Sequence, residues 1–195
     1  GKLAPRRSLV DSATKQANAT QTPDDDNDGL VKAIKPEPIP EKVDQLLKAR
    51  LRYIELALSD SEDKTRRPVN IYKLGEVYFD FKHFEEARKW FAYLIDKYPK
   101  TKVAGYAASN IIETYRQTND WKKMAEWADR IAKAGLGREF DEEIRTLKVG
   151  ALFKSAERLY ADEKYKKAAE EYIRLVDNNP GNRYADRALN NAAVA

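Results

Sequence analysis

The sequence predicts an all-α chain, a solenoid of antiparallel helix pairs preceded by a low-complexity tail, and three observations predict it. Beyond Pro40 the apolar residues recur at the 3.6-residue period of amphipathic helices. Phe84, Ala87, Phe91, Leu94 and Pro99 reappear as Tyr165, Ala168, Tyr172, Leu175 and Pro180, each 81 positions later (84 to 165, 99 to 180). A weaker copy, Trp121, Met124, Ala128 and Ile131, follows the first four at 37 positions, which leaves 44 to the third. Spacings of this size mark helical repeats that stack on their neighbours.

Residues 1–40 read as tail and linker. They are small, polar or proline, as in Ala17-Asn18-Ala19-Thr20-Gln21-Thr22-Pro23, and such a stretch buries too little surface to offset its ordering entropy. Pro36, Pro38 and Pro40 predict a short polyproline II spacer ahead of a helical domain over 41–195. Its leading helix, 41–60, carries Val43, Leu46, Leu47, Leu51, Ile54 and Leu58 on one stripe, with Lys48, Arg52 and Glu55 away from it. A polar loop from Asp60 to Arg67 follows, and Pro68 suits the first turn of the next helix, where its missing N–H is not needed. Three repeats then occupy 68–101, 102–137 and 138–182, and 183–195 begins the first helix of a fourth. The link Gly135-Leu136-Gly137-Arg138-Glu139-Phe140 lacks the proline of the other junctions, and its extra residues are expected to lengthen the next helix at its start.

Composition narrows the function. Thirty-six Lys and Arg against thirty-two Asp and Glu leave a charge of only +4, interleaved rather than clustered, which speaks against nucleic acid. With no Cys there are no disulfides, thiolate metal sites or Cys nucleophile. No stretch approaches the length of a membrane helix, so no membrane insertion is expected. The chain begins Gly1-Lys2 and stops at Ala195 within a helical pattern, and so reads as a fragment.

Ile71, Leu74-Gly75, Tyr78, Ala87, Phe91, Leu94 and Pro99 resemble the tetratricopeptide repeat, departing from it with Ile71 for an aromatic and Leu94 for Ala. The resemblance covers roughly Pro68 to Ala195 and implies a right-handed α-solenoid. Small Gly75 and Ala87 sit where paired helices cross closely, and Ala156 and Ala168 keep those positions in the third copy. The second has Ile112 and Met124 there, so that pair should splay or shift. Pro180-Gly181-Asn182-Arg183-Tyr184-Ala185-Asp186-Arg187-Ala188-Leu189 and Tyr98-Pro99-Lys100-Thr101-Lys102-Val103-Ala104 look like junctions in bacterial cell-envelope repeat proteins, such as the Tol-Pal coordinator and the outer-membrane assembly lipoprotein. A looser likeness is to periplasmic repeat proteins of gliding-motility complexes. These likenesses imply a periplasmic or envelope location, with the cytoplasm as alternative.

In the tetratricopeptide family the first helix of each pair lines a concave surface that binds peptides or partner helices. Carried over by register, that surface takes Tyr72, Glu76, Phe79 and Asp80 from the first repeat, Ser109, Glu113 and Arg116 from the second, and Phe153, Glu157 and Tyr160 from the third. The competing reading packs the same aromatics between neighbouring repeats or against the helix before Ser59. Asp24-Asp25-Asp26-Asn27-Asp28-Gly29 opens like a calcium loop, but Lys35 stands where the bidentate Glu belongs, which favours a solvated acidic turn. His83 lies alone at a helix–helix turn, with no second His for zinc and no Ser partner for catalysis. Trp90, Trp121 and Trp127 read as core or inter-repeat wedges. Lys164, Lys166, Lys167 and Arg158 are diluted as a basic patch by Glu157, Glu163, Glu170 and Glu171. The expectation is a non-enzymatic scaffold without cofactor or metal that binds proteins or peptides. Self-association is expected through a C-terminal edge bearing Leu189, Ala192 and Ala193, and the alternatives are a structural spacer or a regulatory arm.

Overall fold

The computed structural model describes residues 31–56 and 66–195, so the Asp24–Gly29 acidic turn and Leu58 lie outside the described residues. Those residues form eight helices and no strand: α1 (Glu41–Leu56), α2 (Arg66–Asp80), α3 (Phe84–Lys97), α4 (Lys102–Gln117), α5 (Trp121–Ala134), α6 (Arg138–Ala161), α7 (Tyr165–Asn178) and α8 (Ala185–Val194). Packing is between consecutive helices: α1 on α2 and α2 on α3, then α6 on α7 and α7 on α8.

Among the described residues, contacts give two compact units, one holding Ala33–Thr114 and Ala134–Gly137, the other Tyr115–Lys133, Arg138–Ala195 and residues 31–32. The divide falls within α4, inside the pair for which Ile112 and Met124 predict a departure from the repeat pattern.

In the first unit the core is Leu47 and Ile54 from α1, Ile71, Tyr72 and Leu74 from α2, Phe84, Ala87, Phe91, Leu94 and Ile95 from α3, and Val103, Ala104, Ala107, Ala108, Ile111 and Ile112 from α4. The α1 stripe is narrower than its periodicity suggests. Leu47 and Ile54 are buried, but Leu46 is 46% exposed and shares an outward face with Tyr53 and Leu56. Gly75 permits the close approach of α2 and α3: a Cβ built there would stand 2.6 Å from Phe91 Cε1. In the second unit Phe153, Ala156, Ala168, Tyr172, Leu175, Tyr184 and Ala188 form one cluster from α6, α7 and α8. Helix α6 runs 24 residues against 15 for α2. Its added first turns bury Phe140, Ile144 and Leu147, and Lys148 pairs with Asp129 of α5 at 2.7 Å.

The turn inside each pair is built the same way three times. Lys82, Asn119 and Glu163 take positive φ of 64°, 54° and 60°, at the spacings of 37 and 44 that relate the repeats. At each, the next N–H reaches back five residues: His83 to Tyr78 O at 2.8 Å, Asp120 to Tyr115 O at 2.9 Å, Lys164 to Leu159 O at 2.8 Å. The left-handed residue itself donates three back, to Phe79 O, Arg116 O and Tyr160 O. This double hydrogen bond is the Schellman cap, normally closed by glycine. Asn119 tolerates the conformation, whereas Lys82 and Glu163 carry a Cβ penalty there. Lys82→Gly and Glu163→Gly are each expected to stabilise the fold by about 0.5–1 kcal/mol in urea denaturation, with a smaller gain for Asn119→Gly. Equal changes at all three positions would refute the strain argument.

Candidate functional site

The residues of the expected recognition surface divide into two groups. Tyr72 and Phe153 are core residues, 7% and 1% exposed, which corrects the expectation that they line an open surface. The reason is an aromatic layer that the repeat reproduces. Tyr72 meets Phe91 at 5.7 Å between ring centroids and Tyr106 at 6.0 Å; Phe153 meets Tyr172 at 5.5 Å and stacks on Tyr184 at 5.0 Å. Burying such rings is worth more than presenting them to water.

The hydroxyl in this layer changes sides between repeats. In the first it belongs to Tyr72 on the first helix of the pair, in the third to Tyr172 on the second helix. The partner residue stays at the same repeat position on the first helix of the next repeat: Asn110 Nδ2 donates to Tyr72 Oη at 3.4 Å, and Asn191 Nδ2 to Tyr172 Oη at 3.2 Å. Asn110 and Asn191 are 81 positions apart, a match outside the repeat signature and therefore missed by pattern reading. Burial, followed by the Glu76 charge, pushes the Tyr72 phenol from its ordinary 10.0 up to about 12. The unfolded chain therefore releases this proton first. The stabilisation from the neutral, buried ring is complete below pH 10 and is lost as pH rises toward 12. Tyr72→Phe should cost about 1 kcal/mol at neutral pH through the lost hydrogen bond and make the alkaline fall in the urea midpoint shallower. An unchanged alkaline profile would rule out Tyr72 as its source.

The remaining candidates reach solvent. Glu76, Phe79, Ser109, Glu113, Arg116 and Glu157 are half-buried; Asp80 and Tyr160 are exposed. Ser109 Oγ donates to Gly105 O at 3.1 Å, inside its own helix. Glu76 pairs with Lys73, and the third repeat repeats this as Glu157 with Lys154 at 3.0 Å, adding Arg187 from α8 at 3.4 Å. Arg187 also lies 4.9 Å above the Phe153 ring. Glu stands at the same repeat position in all three first helices, as Glu76, Glu113 and Glu157. Partial burial, then the neighbouring Glu76 charge, raises the Asp80 carboxyl above its ordinary range, against the opposing pull of Lys82 and Lys73. Two carboxylates one helical turn apart repel each other, so a cationic group from outside would relieve them.

His83 donates from Nε2 to Glu37 O at 2.9 Å, a structural bond to the linker. Of the tryptophans, Trp127 lies 6.5 Å from Tyr115 with Arg130 stacked at 4.5 Å, Trp90 meets Tyr93 edge-on, and both, like Trp121, are half-buried. Around the third turn, Lys164 and Arg158 both pair with Asp162, which weakens the basic patch further. Among the described residues no helix is long and apolar enough to cross a membrane. No family model matches the chain, and no curated protein matches it.

Proposed function

We propose that the chain is a non-catalytic protein–protein interaction scaffold of the tetratricopeptide type, a right-handed solenoid whose first helices hold partner proteins or peptides carrying basic residues. The observation that carries this reading is the recurrence of a half-exposed glutamate at one repeat position, Glu76, Glu113 and Glu157, on helices joined by identically built turns. A residue type repeated at solvent-facing positions suits a ligand that meets each repeat in the same way. Phe79 and Tyr160, one turn onward, supply aromatic contact beside these charges. The envelope junction likeness supports a periplasmic complex, including those of the gliding-motility kind.

The test uses affinity capture from a cell-envelope extract with the full chain and with a Glu76→Lys, Glu113→Lys, Glu157→Lys variant. The expected result is a partner recovered by the parent chain and lost, about tenfold or more, from a variant of unchanged helicity. Equal recovery from both would remove the first-helix faces as the binding surface.

A second reading, an assembly or spacer subunit, is favoured by α8, where Leu189 and Val194 are 51% and 64% exposed. Self-association through this edge would make the sedimentation coefficient depend on concentration, and Leu189→Glu would abolish that dependence.

A further inference from the structure

The turns do more than reverse the chain. At the first, the N–H of Glu37 donates to Phe81 O at 2.8 Å while Glu37 O accepts from His83 Nε2 at 2.9 Å, so both backbone polar groups of one linker residue are held. Phe81 and His83 flank the left-handed Lys82. Glu37 lies between Pro36 and Pro38, which have no N–H and favour an extended backbone, so it presents the single donor of that tripeptide. At the second turn the carbonyl one residue before the left-handed position, Thr118 O, accepts from the N–H of Lys32 at 2.8 Å. His83 is replaced there by Asp120, whose Oδ1 accepts from Lys123 N–H. The carbonyl before the left-handed residue is therefore a docking point for extended chain at two turns, and a side-chain donor completes a clamp at the first.

The third turn keeps the layout of that clamp. Asp162 O stands at the position of Phe81 O, Glu163 is left-handed, and Lys164, whose Nζ donates to Asp162 Oδ2 at 3.0 Å, stands at the position of His83. Among the described residues no backbone N–H outside the helices donates to Asp162 O. The flanking aromatic pair also recurs, Phe79–Phe84 at 5.7 Å and Tyr160–Tyr165 at 5.1 Å. Phe84 is 6% exposed, whereas Tyr165 and Tyr160 are 43% and 38% exposed.

We propose that the third turn is a docking site for an extended Pro-x-Pro segment of a partner protein, whose central residue places its N–H on Asp162 O and its C=O against Lys164 while the flanking prolines pack on Tyr160 and Tyr165. Proline rings on exposed tyrosines are a general mode of recognising polyproline II segments. The chain's own Pro36-Glu37-Pro38 is engaged at the first turn, and the occupant proposed for the third is the corresponding segment of another protein.

The test titrates a synthetic peptide with the sequence of residues 33–41 into the full chain, read by amide chemical shifts and by fluorescence anisotropy of labelled peptide. Shifts are expected at 158–168, with affinity falling about tenfold in Tyr165→Ala and little in Tyr165→Phe. A peptide with proline at the central position, lacking the donor N–H, should lose affinity about as much. His83→Ala in the chain should leave this binding unchanged. The proposal is overturned if no shifts appear, if the proline-substituted peptide binds equally, if His83→Ala abolishes binding, or if the free chain is already a Tyr165-dependent dimer.

Discussion

Gly75→Ile is expected to destabilise the first helix pair by about 3 kcal/mol, and Phe91→Ala by about 3–5 kcal/mol, yet the two together should cost clearly less than their sum. The Phe91 ring is fully buried, and its edge occupies the space a Gly75 side chain would need. A β-branched side chain there forces α2 and α3 apart, an effect far larger than the gain in helix propensity from replacing glycine. Removing the ring leaves a cavity instead. Combined, each change supplies what the other lacks. The second repeat motivates the experiment: Ile112 stands at the Gly75 position and Ala128 at the Phe91 position, both buried, so the large residue has moved from the second helix to the first. The third repeat is intermediate, with Ala156 and Tyr172. Urea denaturation of the four proteins gives the coupling directly; additive costs would mean that the positions do not share one space.

Phe153→Ala should cost about 3–5 kcal/mol and loosen α6, α7 and α8 together. The ring is 1% exposed, stacks on Tyr184, tilts against Tyr172 and lies beneath Arg187, so its loss removes contacts to α7, to α8 and to the residue that caps α8. Tyr184→Ala, measured alone and in combination, should be strongly non-additive with it. A small effect in denaturation with intact near-ultraviolet dichroism would overturn this placement. The outcome also governs how binding data are read. Partner loss in a Phe153→Ala protein would report a broken core, whereas partner loss on changing Glu76 or Glu157 would report a surface.

Much of the fold was legible because repeat units constrain residues locally. The apolar periods, the small residue at the helix crossing and the prolines after Lys97 and Asn178 each act within one or two turns of helix, so they mark the elements directly. The turn construction was not legible, since nothing about Lys82 or Glu163 as residue types announces a left-handed backbone. Only the hydrogen bonds to Tyr78 O and Leu159 O impose it.

The candidate surface was legible in part, for a related reason. Register assigns residues to a helix face, and Glu76, Glu113, Glu157, Asp80 and Tyr160 all retain access to solvent. Register does not say how far a neighbouring element covers that face. Tyr106 and Asn110 from α4 close over Tyr72, and Tyr184 and Arg187 close over Phe153.

By itself, then, the sequence determined that the chain is helical, where its helices lie, and that a unit recurs at 37 and 44 residues, because these follow from short-range periodicity and backbone chemistry. The tertiary structure alone decided which aromatics are core, which asparagine meets which tyrosine hydroxyl, and that the proline-flanked linker is clamped at a helix turn. Each of these depends on residues far apart in sequence competing for one volume or one hydrogen-bonding group, and no local pattern records the result of that competition.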